Sequence, residues 1–334
     1  MKALVTGGGG FLGAAIVRRL RQRGDEVHSF SRGRYPELDA LGVTQHQGDL
    51  ADSIAVSRAA ANCDIVFHVA AKAGVGGRYR DYHRANVVGT ANVLTACRHH
   101  GIERLVYTSS PSVVFAGRDM AGVDESVPYP SHYDAAYPQT KAIAERMVLQ
   151  ANGPTLATVS LRPHLIWGPG DNHLIPRILA RARAGRLRRI GTESKRIDSV
   201  YIDNAADAHL LAADRLAPGS PIGGKAYFIA QGEPVPLWDL VERILHAAGL
   251  GPVTRSISPR SAYALGWLLE TMYAVFRPHD EPPMTRFVAR ELTTAHWFDI
   301  TAARRDLGYE PKVSLEEGLR RLTIWLRSRG CALL

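Results

Sequence analysis

Short strand-like runs alternate with amphipathic stretches through the first half of the 334-residue chain. The runs at residues 2–6, 26–31, 44–47, 64–69, 104–109 and 158–162 read as strands, whereas 14–20, 54–61, 82–100 and 135–150 repeat their apolar positions at helical spacing. This alternation predicts a parallel sheet with helices on both faces, and right-handed crossovers make it a doubly wound α/β fold. After about residue 168 the pattern loosens into segments punctuated by proline and glycine, which predicts a smaller C-terminal lobe interleaved with the last core strands.

The first strand runs into Gly7, Gly10 and Gly13, with Phe11 and Leu12 between the last two, and then into the helical pattern over 14–20. A glycine-rich turn between strand and helix lets backbone approach a pyrophosphate, and the helix N-terminus adds free N–H groups and the positive end of its dipole. The context predicts dinucleotide binding. At the end of the second strand, where an acid would take the ribose 2′-hydroxyl of NAD, stand Ser31 and Arg32, with Arg34 close behind. A hydroxyl and a guanidinium suit a 2′-phosphate that an acid would repel, so NADP(H) is the expected cofactor. Asp49 and Leu50, after the third strand, are expected at the adenine end. Residues 1–170 are then mainly the NADP-binding Rossmann domain and 171–334 mainly a substrate-binding lobe, with core strands returning at about 197–230.

Net charge is +9, carried largely by arginines that read as solvated helix faces; no nucleic-acid motif accompanies them, and nucleic acid is not an expected partner. Cys63, Cys97 and Cys331 lack metal-ligand spacing and are expected to be reduced, packed thiols, with no metal site. The first strand begins at residue 2, which leaves no room for a signal peptide. The longest apolar stretch, about 263–276, contains Glu270 and is too short to span a bilayer, so a cytoplasmic protein is expected. The wider stretch 262–276 reads either as a buried helix of the small lobe or as an apolar wall or surface helix that receives alkyl chains and touches a membrane face or a partner. Arg277 and Arg286 beside it are candidate partners for a carboxylate.

Tyr137 and Lys141 lie four apart on one helix face, with Asp134 expected as the N-cap and Pro138 in the first turn. An unperturbed phenol, with a pKa of about 10, is a poor proton donor or acceptor at neutral pH; a nearby ammonium favours its ionised form. Upstream, Thr108-Ser-Ser-Pro-Ser112 ends a strand in hydroxyls where a doubly wound sheet opens its ligand crevice. Ser110 is the chosen partner of a substrate carbonyl, with Ser109 and Ser112 as alternatives. Asn86 is expected either to hold backbone or a water near Lys141 or to be a satisfied interior amide. Residues 198–204 read as structural.

As an ordered set, Thr6-Gly-Gly-Gly-Gly-Phe-Leu-Gly13, Gly48-Asp-Leu50, His68-Val-Ala-Ala71, Asn86-Val-Val-Gly-Thr90, Thr108-Ser-Ser110, Tyr137 to Lys141 and Leu161-Arg-Pro163 resemble the extended short-chain dehydrogenase/reductase superfamily. The segment from Glu291 to Ile300 resembles the C-terminal region of its 3β-hydroxysteroid dehydrogenase-like branch. The resemblance implies Tyr137, Lys141 and Ser110 as catalytic residues and cofactor contacts that include Ala70, Ala71, Lys72, Asn86 and Pro163. Lys72-Ala-Gly74, Ile166-Trp-Gly-Pro-Gly-Asp171 and Glu281-Pro-Pro-Met-Thr-Arg-Phe287 are similar to the bacterial reductases of 2-alkyl-3-keto acids in long-chain olefin biosynthesis. That similarity implies NADPH-dependent reduction of a long-chain hydrophobic keto acid to the hydroxy acid, a homodimer, and assembly with other enzymes of that pathway. A steroid or sterol dehydrogenase, and a nucleotide-sugar epimerase or dehydratase, are the alternatives.

Overall fold

Seven strands, β1 (Lys2–Thr6), β2 (Glu26–Ser31), β3 (Thr44–Gln47), β4 (Ile65–His68), β5 (Arg104–Thr108), β6 (Ala157–Pro163) and β7 (Lys225–Ile229), form the central sheet of the computed structural model, which describes residues 1–193, 195–277 and 280–329. Cys331 lies outside the described residues. The strands pair in parallel in the order β7-β6-β5-β4-β1-β2-β3. The order reverses at β1, whose neighbours are β2 and β4, so the carboxyl ends of β1 and β4 part to open a crevice. Alternate residues serve opposite cores: Ala3 and Val5 join one buried cluster, and Leu4 joins the other with Phe30, Val66 and Leu105.

Helix α1 (Phe11–Gln22) packs with α4 (Ile202–Arg215) on one face, where Arg19 pairs with Asp203 at 2.9 Å and also with Asp207. The other face carries α2 (79–99) and α3 (Ala136–Gln150). The expected helix over 82–100 is present but not regular: α-helical Tyr79–Tyr82 and Gly89–His99 flank a π-helical turn, His83–Val88. The cap of α3 also differs from expectation. Ala135 occupies the N-cap without a side-chain bond, and Asp134 instead pairs with Arg290. Pro138 is still inside the first turn, so no intrahelical N–H is lost.

In the C-terminal half, α5 (Pro259–Phe276) packs on α6 (Arg286–Glu291). Glu270 accepts from Arg286 N at 2.7 Å and Nε at 2.6 Å, which engages the arginine that the sequence offered to a carboxylate. Only Ala262 and Gly266 of α5 are fully buried. Leu265, Leu268, Met272, Val275 and Phe276 line its outer side, Val275 being 68% and Phe276 77% exposed, so the surface reading of this stretch describes it better than the buried one. Among the described residues no helix is long and apolar enough to cross a membrane.

An ion pair locks α3 to β6. Glu145, with no exposed surface, faces Arg162 at 2.7 Å and accepts from Ser160 Oγ at 2.8 Å and Tyr129 Oη at 2.6 Å. Burial alone would push the Glu145 carboxyl up, but the Arg162 guanidinium beside it holds it below the usual carboxylate range. Removing one partner of such a pair strands the other charge in the interior. Glu145→Ala is expected to destabilise the fold by about 3–5 kcal/mol in urea unfolding. Arg34→Ala, which breaks the exposed pair with Asp39, should leave the midpoint unchanged.

Candidate active site

The loop after β1 is built around contacts that only glycine permits. Gly7 has φ of +72°, and a Cβ there would lie 3.0 Å from the Ala70 Cα. At Gly13 a Cβ would lie 2.0 Å from the Gly7 carbonyl oxygen, so the first turn of α1 rests directly on the loop. Gly10 is the N-cap in extended conformation, and Phe11 and Leu12 open α1 with their N–H groups toward the crevice end of β1. Tyr35, which the sequence did not single out for this site, covers Gly9: a Cβ there would lie 2.1 Å from its ring.

Ser31 ends β2, and its hydroxyl is buried without a partner. Arg32 is exposed and makes no hydrogen bond or ion pair among the described residues, whereas Arg34 is occupied by Asp39. An unpaired buried hydroxyl next to a free guanidinium fits a phosphate or ribose oxygen, so the cradle and this corner together fit a dinucleotide. Asp49 is half-exposed, accepts from Ala51 N at 2.9 Å and meets Arg84 at 3.2 Å. Leu50 is buried below it.

Behind the crevice runs a chain of neutral hydrogen bonds that the sequence did not signal. Thr6 Oγ1 accepts from the backbone N–H groups of Val69 and Ala70, each at 3.1 Å, so its hydroxyl donates to His68 Nδ1 at 2.8 Å. His68 Nε2 then donates to Thr90 Oγ1 at 3.0 Å, and Thr90 donates to the Asn86 carbonyl at 2.6 Å. Burial, and secondarily the Lys141 charge, pushes His68 down to about 3, so the ring is neutral throughout the working range. The widened turn of α2 aims the Asn86 amide at two elements: Oδ1 accepts from Lys72 N at 2.8 Å, and Nδ2 donates to Lys72 O at 3.1 Å and Thr140 Oγ1 at 3.0 Å. Ala70, Ala71 and Lys72 are thereby held at the end of β4, over the glycine loop.

On α3 the residues Tyr137, Lys141 and Glu145 form one stripe. Lys141 is 2% exposed, donates to the Thr108 carbonyl at 2.6 Å and sits 4.1 Å from the Tyr107 ring centroid. Burial pushes its ammonium down to about 7, against the opposing pull of Glu145. Ser110 caps the short helix Pro111–Val114, accepts from Ser112 N at 3.2 Å and Ser112 Oγ at 2.9 Å, and reaches the Tyr137 phenol. Ser109 is buried on the Glu145 side. Here the structure departs from the simple lysine–tyrosine picture. Burial raises the Tyr137 phenol above its usual value and the Ser110 hydroxyl only partly offsets this, while Lys141 is turned to backbone. The phenol is therefore protonated near neutrality. Pro163 closes the site at the end of β6, and a cavity of about 210 Å³ lined by Phe115, Pro130, Pro138, Phe287 and Arg290 adjoins it.

The profile of the 3-beta hydroxysteroid dehydrogenase/isomerase family matches residues 4–258. The chain is 55% identical to the 2-alkyl-3-oxoalkanoate reductase of Stenotrophomonas maltophilia, covering 96% of this chain and 98% of that protein. It is 53% identical to the reductase of the same name from Shewanella oneidensis, covering 96% and 85%. Among solved structures, gox2253 superposes with a TM-score of 0.79 at 26% identity over 98% of both chains. The UDP-glucose 4-epimerase of Thermus thermophilus in complex with NAD superposes with a TM-score of 0.74 at 27% identity, covering 99% and 100%. With the glycine cradle, the buried lysine and the phenol–hydroxyl pair at the strand ends, these likenesses establish the chain as a member of the 3-beta hydroxysteroid dehydrogenase/isomerase family within the extended short-chain dehydrogenases, a nicotinamide-dinucleotide oxidoreductase acting on a CH–OH/C=O pair.

Proposed function

We propose that the chain reduces a long-chain 2-alkyl-3-oxoalkanoate to the 2-alkyl-3-hydroxyalkanoate with NADPH, in the synthesis of olefinic hydrocarbons. One observation carries the chemistry: the Ser110 hydroxyl reaches the Tyr137 phenol, which burial keeps protonated near neutrality, and a carbonyl oxygen bound between them would accept from both. Likeness to the two reductases supports the substrate class, and the unpaired Ser31 hydroxyl and free Arg32 support NADPH over NADH.

When bound, the nicotinamide supplies the hydride. Ser110 donates to the substrate carbonyl oxygen and polarises it. Tyr137 donates a second hydrogen bond and gives up its proton as negative charge develops on that oxygen. Lys141 stands one turn away and stabilises the tyrosinate left behind, with the Thr108 carbonyl fixing its reach. The outward apolar side of α5 is the face we assign to alkyl chains arriving from a membrane surface. A homodimer, and assembly with the other enzymes of the pathway, complete the reading.

In the reverse assay, NADP⁺ reduction by a 2-alkyl-3-hydroxy acid should fall by at least about 100-fold in Tyr137→Phe, with NADPH binding retained in a fluorescence titration. Full activity in that variant, or turnover of a 3β-hydroxysteroid alone, would sink the assignment. Ser31→Asp should weaken NADPH by about tenfold or more and leave NADH unaffected or improved; equal changes for the two cofactors would exclude a 2′-phosphate contact. Because the phenol titrates above its usual value, oxidation, which needs tyrosinate as base, should rise with pH through the alkaline range. Reduction, which needs the proton, should decline there. Oxidation that peaks on the acid side of neutrality would contradict this.

A further inference from the structure

At the carboxyl end of β6 a second group of titratable side chains stands beside the reacting centre and takes no part in the steps above. His164 follows Pro163 and donates from Nδ1 to Asp198 Oδ1 at 2.7 Å. Asp198 has no exposed surface, and its other oxygen accepts from Phe298 N at 2.8 Å. Among the described residues no lysine or arginine pairs with it. The imidazole is held edge-on between the rings of His296, at 4.9 Å, and Phe298, at 5.1 Å. With Nδ1 committed to Asp198, it meets an incoming group only through Nε2.

Three further observations mark this corner as more than a packing contact. Leu165, next in the chain, has φ of 40°, a conformation unfavourable for a non-glycine residue and one that gathers at ligand sites. Glu291, the last residue of α6, lies in electrostatic reach of both His164 and Tyr137, and its carboxyl has no hydrogen-bond partner among the described residues. His296 donates from Nε2 to the Glu291 carbonyl at 2.8 Å, which leaves its buried Nδ1 lone pair unpartnered.

We propose that His164 Nε2 and the Glu291 carboxyl form a subsite for the carboxylate of the substrate, with Asp198 as the positioning residue behind His164. The inference rests on the keto-acid reading given under Proposed function. In a 3-keto acid the carboxylate carbon is two bonds from the carbonyl carbon, so a group bound at Tyr137 and Ser110 must place its carboxylate against the neighbouring wall. Burial pushes the Glu291 carboxyl up to about 7, against the opposing pull of His164, so near neutrality it has a proton to share with that carboxylate. The subsite separates keto acids from ketones of the same length that lack the acid.

The test compares NADP⁺ reduction by a 2-alkyl-3-hydroxy acid with that by the matching secondary alcohol without a carboxyl group. In His164→Asn the side-chain amide nitrogen takes the place of Nδ1, so the Asp198 bond survives and Nε2 is lost. KM for the acid should rise about 10- to 100-fold, the worth of one hydrogen bond to a charged group, and kinetics with the alcohol should stay within about twofold. Equal losses on both substrates, or no loss on the acid, would overturn the subsite and leave the keto-acid reading intact. A wild-type enzyme that ignores the acid and turns over a steroid would overturn both. Should His164→Asn fail to fold, Glu291→Gln decides the matter, because its amide donates at every pH. Among the described residues, His164 and Tyr137 act electrostatically on the Glu291 carboxyl, and His296 binds its backbone carbonyl. KM for the acid should climb between about pH 6 and about pH 8 in the wild type and stay level in the variant; parallel profiles would overturn the proposal.

Discussion

The buried contact between Glu145 and Arg162 is the constraint on which the site depends. α3 meets the sheet through one stripe, and the far end of that stripe is a carboxylate that cannot leave its guanidinium without stranding it in the core. With Glu145 fixed, Lys141 and Tyr137 follow at successive turns, and rotation of the helix is restricted because Thr108 receives the ammonium one turn earlier. Arg162 belongs to β6, which ends at Pro163 and leads into His164. The same ion pair thus sets the phenol and the crevice wall relative to each other.

Around that frame the protein keeps its interior polar groups neutral. His68 lies between two hydroxyls and is stripped of any charge by burial, so the chain from Thr6 to Asn86 fixes the ends of β1 and β4 without adding a cation near Lys141. Lys141, pushed down to about 7, is close to balanced between its two forms before any ligand arrives. An anion beside it, such as a tyrosinate at Tyr137, would draw the proton onto the nitrogen. Under the proposed mechanism the charge is then present when the reaction generates its counterpart.

The sheet was legible because its strands are short runs bounded by turn residues, β1 apolar at its centre and β2 of mixed polarity, and the limits of β1, β2 and β3 emerge where the pattern put them. The placement of Gly7, Gly13, Tyr137 and Lys141 was legible for a related reason: local spacing sets it. Asp134 was misread because capping propensity is local whereas its partner, Arg290, lies 156 residues away. Tyr35 over Gly9, the His68 relay and the group formed by His164, Asp198 and Glu291 were illegible for the same reason, since strands and loops far apart in sequence bring them together. Periodicity also hides single-residue irregularities, and the run over 82–100 gives no sign that one of its turns is wider than the rest.

That wider turn has a consequence for how the chain can change over time. A π-helical turn is an α-helix holding one residue more than its register needs. Losing any one residue between His83 and Val88 would restore a regular helix and favour local stability. It would leave the flanking turns in their register but close the bulge that carries the Asn86 amide to Thr140 and Lys72. Point substitutions can drift through this segment while its length stays pinned, so a one-residue gap here in any related chain would mark a protein whose crevice is assembled differently.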